Sequence, residues 1–127
     1  MPNTATVTSI PQRPMILLVE DETLIALQIE DTLTDIGYPP VAHAATCRNA
    51  IARLATGGFN AAIVDLNLAG ESGWPVADRL YAIGIPFIIA SGEVDQDVHR
   101  HPQAPRLYKP FGTDELVGAL AEIGIAC

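Results

Sequence analysis

The chain has 127 residues, enough for one domain that buries a core without disulfide or metal staples. Its apolar fraction of 49% and charged fraction of 17% exclude a disordered chain and suit a globular one. A net charge of −8 offers no basic stripe, so neither nucleic acid nor an anionic membrane surface is expected as a partner.

Residues 1–13, with Thr4, Thr6, Thr8 and Pro11, lack the basic start and apolar core of a signal peptide. They read as a flexible N-terminal arm before a single domain over residues 14–127. Met15 to Val19 (MILLV) is a short apolar run, as expected of a strand buried on both faces. Glu22 to Ile36 follows as a helix, with Ile25, Ile29, Leu33 and Ile36 at helical spacing and Gly37 as its stop. A weak second strand spans roughly Val41 to Ala44. Thr46 then caps a helix over Cys47 to Leu54, closed by Gly57 and Gly58. Ala61 to Val64 is the third strand and runs straight into Asp65. Gly70, Ser72 and Gly73 form a loop, and Pro75 opens a helix over Val76 to Ile83. Pro86 to Ala90 is the fourth strand.

Residues 91–105 carry Gly92, three acids, two histidines, Pro102 and Pro105, with no sustained helical period. Any fourth helix there is short or irregular. Arg106 to Tyr108 makes a brief fifth strand, and Thr113 to Ile123 a last helix with Leu116, Leu120 and Ile123 on one face. Strands alternating with helices at this spacing predict an α/β fold with a doubly wound parallel sheet. No stretch is apolar and long enough to span a bilayer. Cys47 and Cys127 have no metal or disulfide spacing and read as reduced thiols of a cytoplasmic protein.

Ligands of such sheets bind beyond the carboxyl ends of the strands. Those ends hold the triplet Glu20-Asp21-Glu22, then Asp65, then Ser91, and finally Lys109, the only lysine of the chain, followed by Pro110. Clustered carboxylates repel unless a cation joins them, and hard oxygen ligands suit Mg²⁺. A lysine facing those acids pairs with Asp65 or with a phosphoryl group placed on it.

In order and spacing, the acidic pair Glu20 and Asp21, then Asp65, Gly73, Ser91 and Lys109-Pro110 resemble a response-regulator receiver domain of the CheY-like class, over roughly residues 14–125. The resemblance implies the flavodoxin-like five-stranded order 2-1-3-4-5. The segments Ile63 to Glu71 (IVDLNLAGE), Gly84 to Gly92 (GIPFIIASG) and Pro105 to Phe111 (PRLYKPF) resemble an alphaproteobacterial subgroup named for a Phe-Ala-Thr-Gly-Tyr segment. Ser91 stands where that subgroup has Thr, Glu93 where it has Tyr, and Ala69 where most receivers have Pro. Arg106 takes the place of a switching Tyr or Phe.

The resemblance implies a phosphorelay role, and a set of residue roles follows from it. Asp65 accepts a phosphoryl group from a histidine kinase or histidine phosphotransfer protein. Mg²⁺ is held by Asp21, by Glu20 directly or through water, by Asp65, and by the backbone carbonyl of Asn67. Ser91 binds a phosphoryl oxygen, Lys109 counters its charge, and Lys109-Pro110 is a cis peptide. Asn67 and Glu93 favour self-dephosphorylation, so the only catalysis expected is self-catalysed acceptance and loss of phosphate. With no DNA-binding or catalytic domain in view, output is expected through protein contact or by draining phosphate as a sink.

Because burying an unpaired guanidinium is costly, Arg106 is not expected to rotate inward, and the mobile element is expected at residues 92–105. Gly92, Glu93, Arg106 and Tyr108, with Leu24 and Leu27 off the apolar face of the first helix, are candidates for a switch or partner surface. His99 and His101 read as solvated, Glu22 as a first-turn acid, and Trp74 as close to the site. Two other readings stay open: a Mg²⁺-dependent aspartyl-phosphate phosphatase or phosphotransferase, disfavoured by Asn67 in place of a second acid, and a docking module that works without phosphorylation. A flavodoxin-type cofactor binder conflicts with three acids after the first strand.

Overall fold

The structure is a computed structural model that describes residues 15–38, 41–92 and 100–125. The arm expected over residues 1–13, and Glu93 and His99, lie outside the described residues. Five strands form one parallel sheet: β1 (Ile16–Val19), β2 (Ala42–Ala44), β3 (Ala61–Asp65), β4 (Phe87–Ser91) and β5 (Arg106–Tyr108). Their spatial order is 2-1-3-4-5. Helices α1 (Thr23–Asp35), α2 (Cys47–Ala55), α3 (Trp74–Ile83) and α4 (Thr113–Glu122) cover it.

Side-chain alternation along the strands divides the core into two layers. Ile16, Leu18, Ile63, Ile88 and Leu107 face Ala26, Ile29 and Leu33 of α1 and Leu116 and Leu120 of α4. Leu17, Val19, Val64, Phe87 and Ile89 face Ala50 and Leu54 of α2 and Val76, Ala77 and Leu80 of α3. Both faces of β1 and β3 are therefore sealed, which is why those strands read as unbroken apolar runs. On α1 the fully buried stripe is Ala26, Ile29 and Leu33, whereas Ile25 and Ile36 sit at its edges.

Local signals place the helix ends. The Thr46 side chain accepts from the Asn49 N–H at 3.1 Å, capping α2. Gly37, with φ 98°, lets the chain reverse after α1, and Tyr38 N–H returns to Leu33 O at 2.9 Å. Pro75 is the second residue of α3, one place later than expected.

One feature of the chain path departs from the sequence reading. The loop after β3 contains a small antiparallel hairpin, Asn67–Leu68 with Glu71–Ser72. Its two turn residues, Ala69 and Gly70, have φ 55° and 87°, as a tight hairpin turn demands. A proline, locked near −65°, could not occupy the Ala69 position in this conformation. Within the segment 92–105, residues 100–104 form bends and turns, and Ala104 is buried.

Candidate active site

β1, β3 and β4 end side by side, so the residues that follow them converge on one crevice. In the ladder, Asp65 pairs with Ala90, which puts Ser91 one residue beyond it, and Ser91 pairs with Tyr108. The Lys109 N–H donates to Ser91 O at 2.7 Å, extending the β4–β5 ladder to the lysine. The Lys109–Pro110 peptide is cis.

Lys109 Nζ lies 2.7 Å from Glu20 Oε1 and 2.8 Å from Asp65 Oδ2. Both acids are buried, Glu20 at 1% exposure and Asp65 at 4%. The other Asp65 oxygen, Oδ1, accepts the Asn67 N–H at 2.9 Å, so both carboxylate oxygens are oriented. Glu20 Oε2 accepts the Glu22 N–H at 3.2 Å. Glu22 itself is the exposed N-cap of α1 rather than a first-turn acid, and its side chain caps nothing. Gly73 backs the site from below. A Cβ there would lie 2.0 Å from Asp65 O, so any side chain would displace the strand end that carries the aspartate.

The electrostatics follow from burial and count. Burial pushes the Glu20 carboxyl up, against the opposing pull of Lys109 and the Glu22 N–H. Burial by itself would lower the Lys109 ammonium, but its bonds to Asp65 and Glu20 outweigh that and hold it above the usual lysine range. Carboxylate oxygens of Glu20, Asp21 and Asp65 lie within 4.8 Å of one another. Three acids against one ammonium leave a negative excess in a confined, oxygen-only donor set. That chemistry fits a hard divalent cation such as Mg²⁺.

Residues 16–121 match the response-regulator receiver domain family. The chain belongs to that family. Among solved structures, the receiver resembles SdrG from Sphingomonas melonis Fr1, at 42% identity over 87% of this chain and 96% of that one, TM-score 0.75. The BeF3-activated conformation of SdrG, from Pseudomonas melonis Fr1, is similar at 44% identity, over 86% and 94%, TM-score 0.74. A response regulator receiver protein from Sinorhizobium medicae WSM419 shares 28% identity over 88% and 94%, TM-score 0.78. No curated protein matches the sequence. The acid cluster and its lysine bridges are thus a receiver active site, suited to phosphoaspartate and Mg²⁺ chemistry.

Of the residues singled out from sequence, Glu20, Asp21, Asp65, Asn67, Ser91 and Lys109 gather at this crevice. Leu24, Leu27 and Tyr108 are exposed at 75%, 48% and 40%. Arg106 is different: Nη1 donates to His101 O at 2.6 Å and Ala104 O at 2.9 Å, and Nη2 to Arg100 O. It pins the turn at 100–104.

The reading of His101 as solvated is corrected. Its side chain is only 11% exposed and sits among Trp74, Tyr81 and Phe87, with ring centroids 6.1, 5.1 and 5.3 Å away. Its Nε2 lies 2.6 Å from Asp78 Oδ1, while Arg100 pairs with Asp78 Oδ2 at 2.6 Å and stacks over Trp74. The Trp74 indole therefore reports on this cluster. Nothing in local sequence signals it, because its members come from α3, β4 and the turn before β5.

Proposed function

We propose that this receiver accepts a phosphoryl group on Asp65 from the phosphohistidine of a histidine kinase or histidine phosphotransfer protein. An Asp65 carboxylate oxygen attacks phosphorus, the donor's N–P bond breaks, and an acyl phosphate forms on Asp65. The donor imidazole leaves with the bonding pair. The observation that carries this reading is the contact of Lys109 Nζ with Asp65 Oδ2 inside a cluster of three carboxylates. Phosphoryl transfer relies mainly on positioning and charge neutralisation, and these residues supply both.

Asp21 and Asp65 would hold Mg²⁺, with Glu20 directly or through water and the Asn67 carbonyl. The cation supplies neutralisation of phosphoryl charge when bound. Lys109 would transfer its ion pair from the carboxylate to the phosphoryl oxygens, and Ser91 would donate its hydroxyl to one of them. Leu24 and Leu27 on α1 support docking of the phosphodonor. Beside them a groove of about 560 Å³, lined by Ile25, Gln28, Thr32, Phe111 and Thr113, opens next to Lys109. Output runs through protein contact at Gly92, Tyr108 and their surroundings, or the protein drains phosphate as a sink.

The finer affiliation is with the Phe-Ala-Thr-Gly-Tyr subgroup, supported by the segments 63–71, 84–92 and 105–111. A single receiver domain over 14–127, working in the cytoplasm, completes the reading. Among the described residues, no helix is long and apolar enough to cross a membrane.

Beryllofluoride, a phosphoryl mimic, tests the assignment. With Mg²⁺ it is expected to shift amide resonances around Asp65, Ser91 and Lys109 by NMR. In Asp65→Asn those shifts should vanish, and their persistence would move the acceptor elsewhere.

A further inference from the structure

The Glu20–Asp21 peptide carries two of the three clustered acids, and a histidine outside that cluster holds it from β2. The Glu20 N–H donates to Ala44 O at 3.0 Å, adding one rung beyond the β1–β2 ladder. In a continued parallel ladder, the next rung would run from the Thr46 N–H to Glu20 O. That rung is not formed between these described residues, because β2 ends at Ala44 and Thr46 already caps α2. Instead, His43 Nε2 reaches Glu20 O at 2.7 Å. A carbonyl oxygen only accepts, so Nε2 carries the hydrogen.

Every polar group of Glu20 is thereby paired. Its N–H is held by Ala44, its carbonyl by His43, and its carboxylate by Lys109 and the Glu22 N–H. Asp21, one residue on, makes no side-chain hydrogen bond among the described residues and stands partly exposed at the mouth of the crevice. The direction of its side chain depends on the orientation of the peptide plane that precedes it.

We propose that His43 is a positioning residue for the cation site. By donating Nε2–H to Glu20 O, it fixes the plane of the Glu20–Asp21 peptide and aims the Asp21 carboxylate at the space shared with Asp65. The inference rests on the reading of Glu20, Asp21 and Asp65 as a Mg²⁺ site. Partners that orient a metal's ligands commonly change affinity when removed, by about 10-fold or more.

The test is calorimetric titration of Mg²⁺ into the wild-type protein, His43→Met and His43→Gln. Methionine keeps the length and removes the donor, and glutamine restores an N–H donor of similar reach. The Met variant is expected to bind Mg²⁺ about 10-fold more weakly, with Gln recovering most of the loss. Unchanged affinity in the Met variant, even with a lowered denaturant midpoint, would show a purely structural histidine and overturn the proposal. A Gln variant as weak as Met would also overturn it, since the donor would not be what matters. Should the Met variant fail to fold, NMR of the wild-type imidazole decides. A protected Nε2–H signal that moves on Mg²⁺ addition supports the role, and a signal indifferent to Mg²⁺ refutes it. Absence of Mg²⁺ binding by the wild-type protein would instead overturn the metal reading on which this one stands.

Discussion

Among the described residues, two charged clusters stand apart, and they are built by opposite rules. At the strand ends, Glu20 and Asp65 are buried with Asp21 beside them and, among the described residues, only Lys109 to offset the three. Against α3, Asp78 meets both Arg100 and His101, Arg100 lies over Trp74, and His101 is enclosed by aromatic rings. Burial alone would raise the Asp78 carboxyl, but its bonds to Arg100 and His101 outweigh that and hold it low. The second cluster matches its acid with cationic partners at a half-exposed edge. The first keeps negative charge in excess in an apolar surround, a state that folding alone does not favour. Charge left unmatched inside a fold is a mark of a site that completes itself with a cation or a phosphoryl group.

The largest effect that could break this comparison belongs to Lys109. Lys109→Met removes the cation from Asp65 and should slow phosphoryl acceptance from acetyl phosphate about 100-fold, as loss of one charge-stabilising donor does. Amide exchange in the 100–104 turn should stay as in the wild type. His101→Ala should show the converse. It empties a ring-lined space and costs about 2 kcal/mol in denaturant unfolding, while Mg²⁺ affinity by calorimetry is unaltered. Asp21→Asn removes a hard anionic ligand and should weaken Mg²⁺ binding about 10-fold, or about 1.4 kcal/mol.

The smallest effect sharpens the contrast through pH. Asp78 has a lowered folded pKa, so its contribution is present above the unfolded aspartate value near 4 and lost as pH falls through the folded value. Because Asp78 is half exposed, that contribution stays under about 1 kcal/mol. Exchange protection of residues 100–104 should fall as pH drops below about 4, and Asp78→Asn should flatten that dependence.

The two clusters also differ in how far they could be read from sequence. Glu20, Asp21, Asp65 and Lys109 follow directly from strand ends, and strands buried on both faces announce themselves as apolar runs. Once MILLV and AAIV are taken as parallel neighbours, convergence of the acids is a matter of topology. The His101 cluster has no such signal. Its members are joined by the packing of the 100–104 turn on α3, and a polar, proline-flanked stretch looks solvated until its partners are known. The hairpin after Asp65 escaped for another reason. Its strands are two residues each, too short for any period, and Ala69 is not a residue type that marks a left-handed turn. His43 was invisible because its role is to replace a missing ladder rung, which only the observed register reveals.

On the proposed function, the unmatched charge at the strand ends exists to receive a phosphoryl group on Asp65. Intact-mass measurement after incubation with acetyl phosphate tests it most directly, on wild type with Mg²⁺, wild type with a chelator, and Asp65→Asn with Mg²⁺. The expected result is a single hydroxylamine-labile phosphoryl adduct in the first sample alone. A hydroxylamine-stable adduct, or one that forms equally in Asp65→Asn, would contradict it.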